Sequence, residues 1–203
     1  RGLKRDPELG KKIDSAIIPG LQGGPHNATT AGIAIAASEA MTPAFKKYAK
    51  QIRKNADALA IRLMKQGLEL VGGGTETHLM VIDLTKVGIG LGVQTAFAMD
   101  VAGIYANRNT VPTEQGSPFY PSGVRIGTPL VTTRGMKEKE MVMIADWIVR
   151  VVERVSECWP ALPVKGKVAY IEQFRTEALA DPVLLAIRRE VRALTKQFPL
   201  FAD

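Results

Sequence analysis

This sequence has few cysteines and histidines and no long apolar run, which are the features that disulfides, zinc sites and membrane spans require. It contains one cysteine and two histidines among 203 residues, so an internal disulfide is impossible and a zinc site of recognisable spacing is not expected. No apolar run approaches the about 20 residues that span a bilayer, and residues 1–6 lack the apolar core of a signal peptide. These absences predict a cytoplasmic protein with no metal and no membrane partner.

Enough apolar material is present for a folded core. Hydrophobic residues make up 46% of the chain, and the length fits one domain, or one domain with part of another. The formal net charge of +7 could attract nucleic acid. Much of this charge follows the polar face of one predicted helix, without interleaved aromatic residues that would stack on bases. A solvated helix face or an anionic small molecule explains the charge better, and no nucleic acid is expected.

Periodicity and helix-breaking residues predict many helices and few strands. Helices are expected at residues 6–13, 29–40, 43–65, 93–101, 136–157, 167–179 and 182–198. Strands are expected at residues 68–71, 79–84 and 104–106 and around Arg125, with a long polar loop at 107–120. This pattern is typical of an α/β fold in which helices cover a small sheet.

The beginning of the chain differs from the remainder. Residues 1–41 contain no predicted strand, and the alanine-rich stretch at 29–40 has the composition of a buried helix. Residues 42–203 contain all the predicted strands. The sequence therefore indicates two parts, of which residues 1–41 suit the completion of a neighbouring domain.

A single arginine stands out in the glycine-flanked segment at residues 122–129. Arg125 lies between Gly123 and Gly127 in a short stretch of β character. Its planar guanidinium can hold both oxygens of a carboxylate, and one such charged hydrogen bond contributes about 1.5 to 3 kcal/mol. Arg125 could also cap a strand end or pair with a surface acid. The segment by itself leaves these interpretations open.

Two glycine-rich stretches have the composition of anion-binding loops. At residues 22–25, Gly23 and Gly24 would let backbone N–H groups approach a phosphate, although such a pair also forms ordinary turns. Residues 88–92 lack the G-x-G-x-x-G spacing of a dinucleotide loop. We interpret that second stretch as a loop leading into a helix.

Five segments, taken together, resemble the serine hydroxymethyltransferase family in order and spacing. They are residues 19–26, 73–79, 107–112, 117–119 and the segment around Arg125. The resemblance is close over residues 11–147 and looser beyond. It implies the fold-type-I, aspartate-aminotransferase-like fold of pyridoxal-phosphate-dependent transferases. Residues 1–41 would be the C-terminal tail of the large cofactor-binding domain, and residues 42–203 the small C-terminal domain.

The resemblance also implies roles for particular residues. Arg125 would bind the carboxylate of the amino-acid substrate, serine or glycine. Gly23 and Gly24 would lie near the pyridoxal phosphate bound by the other subunit of a dimer. The positions that contact tetrahydrofolate would be Asn109, Ser117, Pro118 and Phe119. Arg134 is expected to organise the site without taking part in the chemistry.

The implied activity belongs to a longer protein. The family converts serine and tetrahydrofolate reversibly to glycine and 5,10-methylenetetrahydrofolate, as a homodimer or a dimer of dimers. Its cofactor is held by a lysine that follows a histidine, but here Asn27 follows His26 and Leu79 follows His78. We therefore expect no catalytic residue in this chain and no turnover by the chain alone.

The sequence leaves two alternatives open. One is a non-catalytic module for dimerisation or ligand binding that keeps the fold without the lysine. The other is a different fold-type-I enzyme, such as a threonine aldolase. The folate-like positions from Asn109 to Phe119 argue against the aldolase.

Overall fold

The structure is a computed structural model that describes residues 5–200. Along the chain it divides into two compact units, one up to Lys46 and one from Lys47 onward. Helix α3 (Pro43–Lys65) carries the chain from the first unit into the second.

The described residues of the first unit are helical and form no core of their own. It contains helix α1 (Leu9–Ser15), an irregular helical stretch (Ala16–Leu21) and helix α2 (Asn27–Ala40). None of its described residues is buried, and Ile33 and Ile35 of α2 are 65% and 61% exposed. Burial of this helix against a neighbouring domain stays a prediction. The composition is that of a packed helix, but the described residues of the first unit bury none of it.

All the strands that the structure describes, and most of its helices, belong to the second unit. After α3 come strands β1 (Glu69–Leu70) and β2 (Leu79–Asp83), helix α4 (Gly92–Val101), and strands β3 (Asn107–Asn109) and β4 (Gly123–Gly127). Four further helices follow, namely α5 (Pro129–Thr133), α6 (Glu138–Cys158), α7 (Lys167–Ala180) and α8 (Pro182–Thr195).

The strands form one antiparallel sheet in the order β1-β2-β4-β3. This confirms the prediction of a mixed α/β fold with a small sheet. Two local predictions were wrong, because residues 104–106 form no strand and residues 107–109, expected in a loop, form β3. The short helix α5 was not foreseen. Ile104 and Ala106 pack against the core, while the polar residues of β3 find hydrogen-bonding partners along the edge of β4.

Within the second unit, the described helices cover one face of this sheet. Alternate side chains of β2 and β4 enter the hydrophobic core, as period-two strands require. The buried positions are Met80, Ile82, Val124 and Ile126. On the other face, Val81 of β2 is half-buried and Arg125 of β4, directly opposite it, is exposed. We call this second surface, which carries Val81 and Arg125, the open face.

A buried asparagine joins α3 to the segment that follows β4. The Asn55 side chain is fully buried, and its Nδ2 donates to Thr132 Oγ1 at 2.8 Å and to the Met136 carbonyl at 3.0 Å. Its Oδ1 accepts from Gln51 Nε2 at 2.9 Å. Thr132 in turn donates to the Thr128 carbonyl at 2.7 Å. This network holds α5, and with it the end of β4, against α3.

Replacing Asn55 with leucine is expected to lower the free energy of unfolding by about 2 kcal/mol, because the Met136 carbonyl then lacks its donor in a buried site. Urea denaturation followed by the fluorescence of Trp147 and Trp159, both buried in the second unit, measures the change. Lys54→Leu alters an exposed neighbour on the same helix and serves as the control. Equal midpoints for the two variants would contradict the role assigned to Asn55.

Candidate functional site

Arg125 occupies the centre of the open face. It is the middle residue of β4, opposite Val81 of β2 on one side and Asn107 of β3 on the other. Its side chain is exposed although the strand lies inside the sheet. Strand pairing therefore presents the guanidinium on a surface that no helix of this unit covers.

Within residues 5–200, the Arg125 guanidinium forms no ion pair and no hydrogen bond. No acid in this range therefore neutralises its charge. Register places Asp83 on the same face, opposite Gly123. The Asp83 carboxylate instead accepts from the Thr85 backbone at 2.9 Å and from the Thr85 hydroxyl at 2.7 Å. An unpaired guanidinium on an open surface is suited to an anionic ligand.

Asn109 lies on the same face as Arg125. It is the last residue of β3 and pairs with Gly123, two positions from Arg125 along β4. Such diagonal neighbours on one face are about 7 to 8 Å apart. Asn109 Nδ2 donates to the Thr110 carbonyl at 2.7 Å. The sheet thus brings two of the candidate positions together.

The remaining candidate positions of the second unit lie in the loop between β3 and β4. Ser117 and Tyr120 close a tight turn, in which the Tyr120 N–H donates to the Ser117 carbonyl at 3.0 Å and to Ser117 Oγ at 3.2 Å. Pro118 and Phe119 lie within this turn, and Phe119 is 76% exposed. The turn therefore presents an aromatic ring to the outside.

The loop contains one organising residue that the sequence did not reveal. Glu114 accepts hydrogen bonds from the backbone of Val111, Gly116 and Ser122 and from the Ser122 hydroxyl. Burial raises the pKa of its carboxyl, but the hydrogen bonds from Ser122, Gly116 and Val111 lower it, and the net pKa is below its ordinary value. No periodicity or family segment singled out Glu114, because its partners gather only when the loop folds.

Gly23 and Gly24 belong to the first unit, in the segment between residues 21 and 27. Both are exposed, and no atom lies within 4 Å of the position that a Cβ would take at either glycine. Within residues 5–200 their backbone N–H groups donate to no acceptor. This backbone is open to an anion.

Arg134 makes a different kind of contact. Its Nη2 donates to the carbonyl of Thr195, the last residue of α8, at 2.8 Å. It also lines an apolar cavity of about 280 Å³ together with Ile126 and Leu194, whose side chains belong to the helix-covered side of the sheet. Arg134 therefore links the segment after α5 to the end of the last helix.

Residues 5–200 contain no group of three histidine, cysteine, aspartate or glutamate side chains that could hold a metal ion. Over the same range, no helix is both long enough and apolar enough to cross a membrane.

The fold defines a mixed α/β protein whose small antiparallel sheet presents an unpaired arginine on an open face. A family model described as serine hydroxymethyltransferase matches residues 1–148. The chain belongs to the serine hydroxymethyltransferase family. This confirms the resemblance that the five sequence segments indicated.

Curated relatives agree with the family match. The chain is 48% identical to a serine hydroxymethyltransferase of Acidothermus cellulolyticus over 197 residues, which are 97% of this chain and 42% of that protein. A serine hydroxymethyltransferase of Desulfotalea psychrophila is 43% identical over 95% of this chain, and one of Methanospirillum hungatei is 41% identical over 98%. The chain spans 40% and 42% of the lengths of these last two proteins.

Proposed function

We propose that this chain is part of a cytoplasmic, pyridoxal-phosphate-dependent enzyme that converts serine and tetrahydrofolate reversibly to glycine and 5,10-methylenetetrahydrofolate. Membership of the family supports the reaction class. The observation that carries the proposal for this chain is the unpaired Arg125 beside Asn109 on the open face. A guanidinium that can bind a carboxylate, with a side-chain amide beside it, suits the binding of an amino acid next to a polar co-substrate with which it reacts.

Arg125 would bind and orient the amino acid. Two parallel N–H donors fix both the position and the plane of a carboxylate. With the carboxylate held, the other substituents of the α-carbon take defined directions, and such positioning can supply a large part of the rate acceleration. We assign Arg125 this binding and orienting role.

Asn109 and the turn at residues 117–119 would contact tetrahydrofolate. The Asn109 amide can donate and accept hydrogen bonds, which suits the edge of a pterin ring. Phe119 would supply an apolar wall, and its exposure leaves the ring accessible to such a ligand. Ser117 and Pro118 shape the turn that carries it.

Pyridoxal phosphate fits the open backbone of the first unit. The N–H groups of Gly23 and Gly24 are free of other acceptors in the described range, and they would contact the phosphate of the cofactor bound by the other subunit of a homodimer. When bound, the cofactor acts as an electron sink. The exposed apolar residues of α2 support the proposal that residues 1–41 complete a large domain, with residues 42–203 as the small one.

An assay of glycine formation from serine by the complete enzyme tests this function. We expect pyridoxal phosphate and tetrahydrofolate both to be required for glycine formation from serine. Full turnover of a hydroxy amino acid with no response to tetrahydrofolate would favour the threonine aldolase alternative instead.

A second prediction concerns covalent binding of pyridoxal phosphate to the 203-residue chain by itself. Because no lysine follows a histidine in it, pyridoxal phosphate mixed with this chain should produce no absorbance band of a specifically lysine-bound cofactor. Borohydride reduction followed by peptide mass spectrometry measures the result. A stoichiometric adduct on one lysine would contradict the prediction and favour an independent ligand-binding module.

A further inference from the structure

We infer that Glu114 is a positioning residue for the folate co-substrate, because it holds the loop that presents the turn at residues 117–119. The inference rests on the proposed function and deepens it. Among residues 5–200, the hydrogen bonds to the Glu114 carboxylate come from its own loop alone. Its effect on the ligand therefore passes through the geometry of that loop.

The carboxylate ties together the start, the middle and the end of the loop. Oε2 accepts from the N–H of Val111, just after β3, at 3.3 Å and from the N–H of Ser122, just before β4, at 2.8 Å. Oε1 accepts from the N–H of Gly116 at 2.7 Å and from the Ser122 hydroxyl at 2.7 Å. One side chain thus supplies acceptors for backbone N–H groups that have no strand or helix partner in this irregular segment.

A second set of contacts fixes the end of the loop to the beginning of α4. The Gly90 N–H donates to Ser122 Oγ at 2.9 Å, and the Gly92 N–H donates to the Pro121 carbonyl at 2.8 Å. A Cβ on Gly92 would lie 2.5 Å from the carbonyl oxygens of Pro121 and Gly123. This close approach explains why glycine stands at position 92, at the end of the glycine-rich stretch that matched no nucleotide loop.

The turn at residues 117–119, which we call the folate turn, begins directly after Gly116, a residue that the Glu114 carboxylate holds. Gly116 is held by Glu114, and Ser117 starts the turn that exposes Phe119. Arg125 depends on a different set of contacts, namely the pairing of β4 with β2 and β3. Loss of the carboxylate should therefore disturb the folate turn and leave the amino-acid clamp in place.

Steady-state kinetics of the complete enzyme separates these two effects. Glu114→Gln keeps the shape of the side chain, but it replaces one acceptor oxygen with an NH₂ group facing two donors. We expect the KM for tetrahydrofolate to rise at least about tenfold, as is usual for loss of a charged hydrogen bond, with the KM for serine changed less than about twofold. Glu114→Asp keeps the charge and should recover part of the tetrahydrofolate KM.

Glu153→Gln is the matched control, since Glu153 is exposed on α6. Its KM for tetrahydrofolate and its KM for serine should both equal those of the unmodified enzyme.

An unchanged tetrahydrofolate KM in Glu114→Gln overturns the inference. A proportional rise in both KM values also overturns it, because that result indicates general destabilisation. If Glu114→Gln does not fold, equal KM values for Glu114→Asp and the unmodified enzyme overturn it as well. Absence of any response to tetrahydrofolate in the unmodified enzyme would overturn the proposed function itself.

Discussion

Replacing Arg125 with lysine in the complete enzyme is expected to raise the KM for serine by about 10- to 100-fold, and alanine should raise it further. A charged hydrogen bond contributes about 1.5 to 3 kcal/mol, and each 1.4 kcal/mol is about a factor of ten in affinity. Lysine keeps the charge but cannot offer two parallel donors to one carboxylate. Steady-state kinetics with serine varied at saturating tetrahydrofolate measures the effect.

The kinetic constants of the Arg125 variants also distinguish binding from orientation. A rise in KM with unchanged kcat indicates that Arg125 only binds the substrate, whereas a fall in kcat as well indicates that it orients the reacting bond. Arg189→Lys, an exposed arginine on α8, is the matched control and should leave both constants unchanged. Unchanged serine kinetics in Arg125→Lys and Arg125→Ala would remove Arg125 from the site.

The largest expected loss of stability follows from Asp181→Ala. The Asp181 side chain is only 5% exposed. Its Oδ1 accepts from the N–H groups of Val183 and Leu184 at the start of α8, and its Oδ2 accepts from Arg154 Nε at 3.0 Å and Nη2 at 2.7 Å. Removing one partner of a buried ion pair costs about 3 to 5 kcal/mol, and loss of a helix cap about 1 kcal/mol. We expect the free energy of unfolding to fall by about 3 to 4 kcal/mol.

Asp181→Asn separates the contribution of the ion pair with Arg154 from that of the helix cap. Asparagine is a good helix cap, so this variant should keep the bonds to Val183 and Leu184 and lose only the ion pair with Arg154. Urea denaturation monitored by tryptophan fluorescence should therefore rank the wild type first, then Asp181→Asn, then Asp181→Ala. Equal stability of the wild type and Asp181→Asn would show that the ion pair with Arg154 contributes nothing, and equal stability of the two variants would show the same of the helix cap.

The pH dependence follows from the same carboxyl. Burial raises the pKa of Asp181, but the bonds from Arg154, Leu184 and Val183 lower it, and the net pKa is below its ordinary value of 3.8. A lowered folded-state pKa means that the ion pair stabilises the protein fully above the unfolded pKa and is lost as pH falls through the folded value. The stability difference between wild type and Asp181→Asn should be constant above about pH 5 and shrink below about pH 4.

Several elements could be predicted because their signals are local. Helix α3 was expected at residues 43–65 and occupies Pro43–Lys65, since a proline begins it, a glycine follows its end and apolar residues recur at three-four spacing. The helices at 167–179 and 182–198 were likewise close to α7 and α8. The family was recognised from the order of five short segments, which requires no knowledge of their spatial arrangement.

Other elements depended on contacts between distant residues. The polar residues Asn107–Asn109 show no strand pattern, and they form β3 because β4 offers an edge with which they can pair. The helix α2 has the composition of a buried helix, yet its exposure depends on what lies around it. Asn55 and Glu114 gave no sequence signal, because a polar residue becomes an anchor only when its hydrogen-bond partners converge on it.

By itself the sequence determined the family, the helices with clear periodicity and the candidate positions Arg125, Asn109 and Phe119, because these are properties of residue type and linear order. Only the tertiary structure decided that Arg125 and Asn109 share one open face and that Arg125 has no acidic partner among the described residues. Strand register, one-sided helix cover and the carboxylate of Glu114 join residues far apart in the chain. Such contacts depend on distance in space, which no local pattern records.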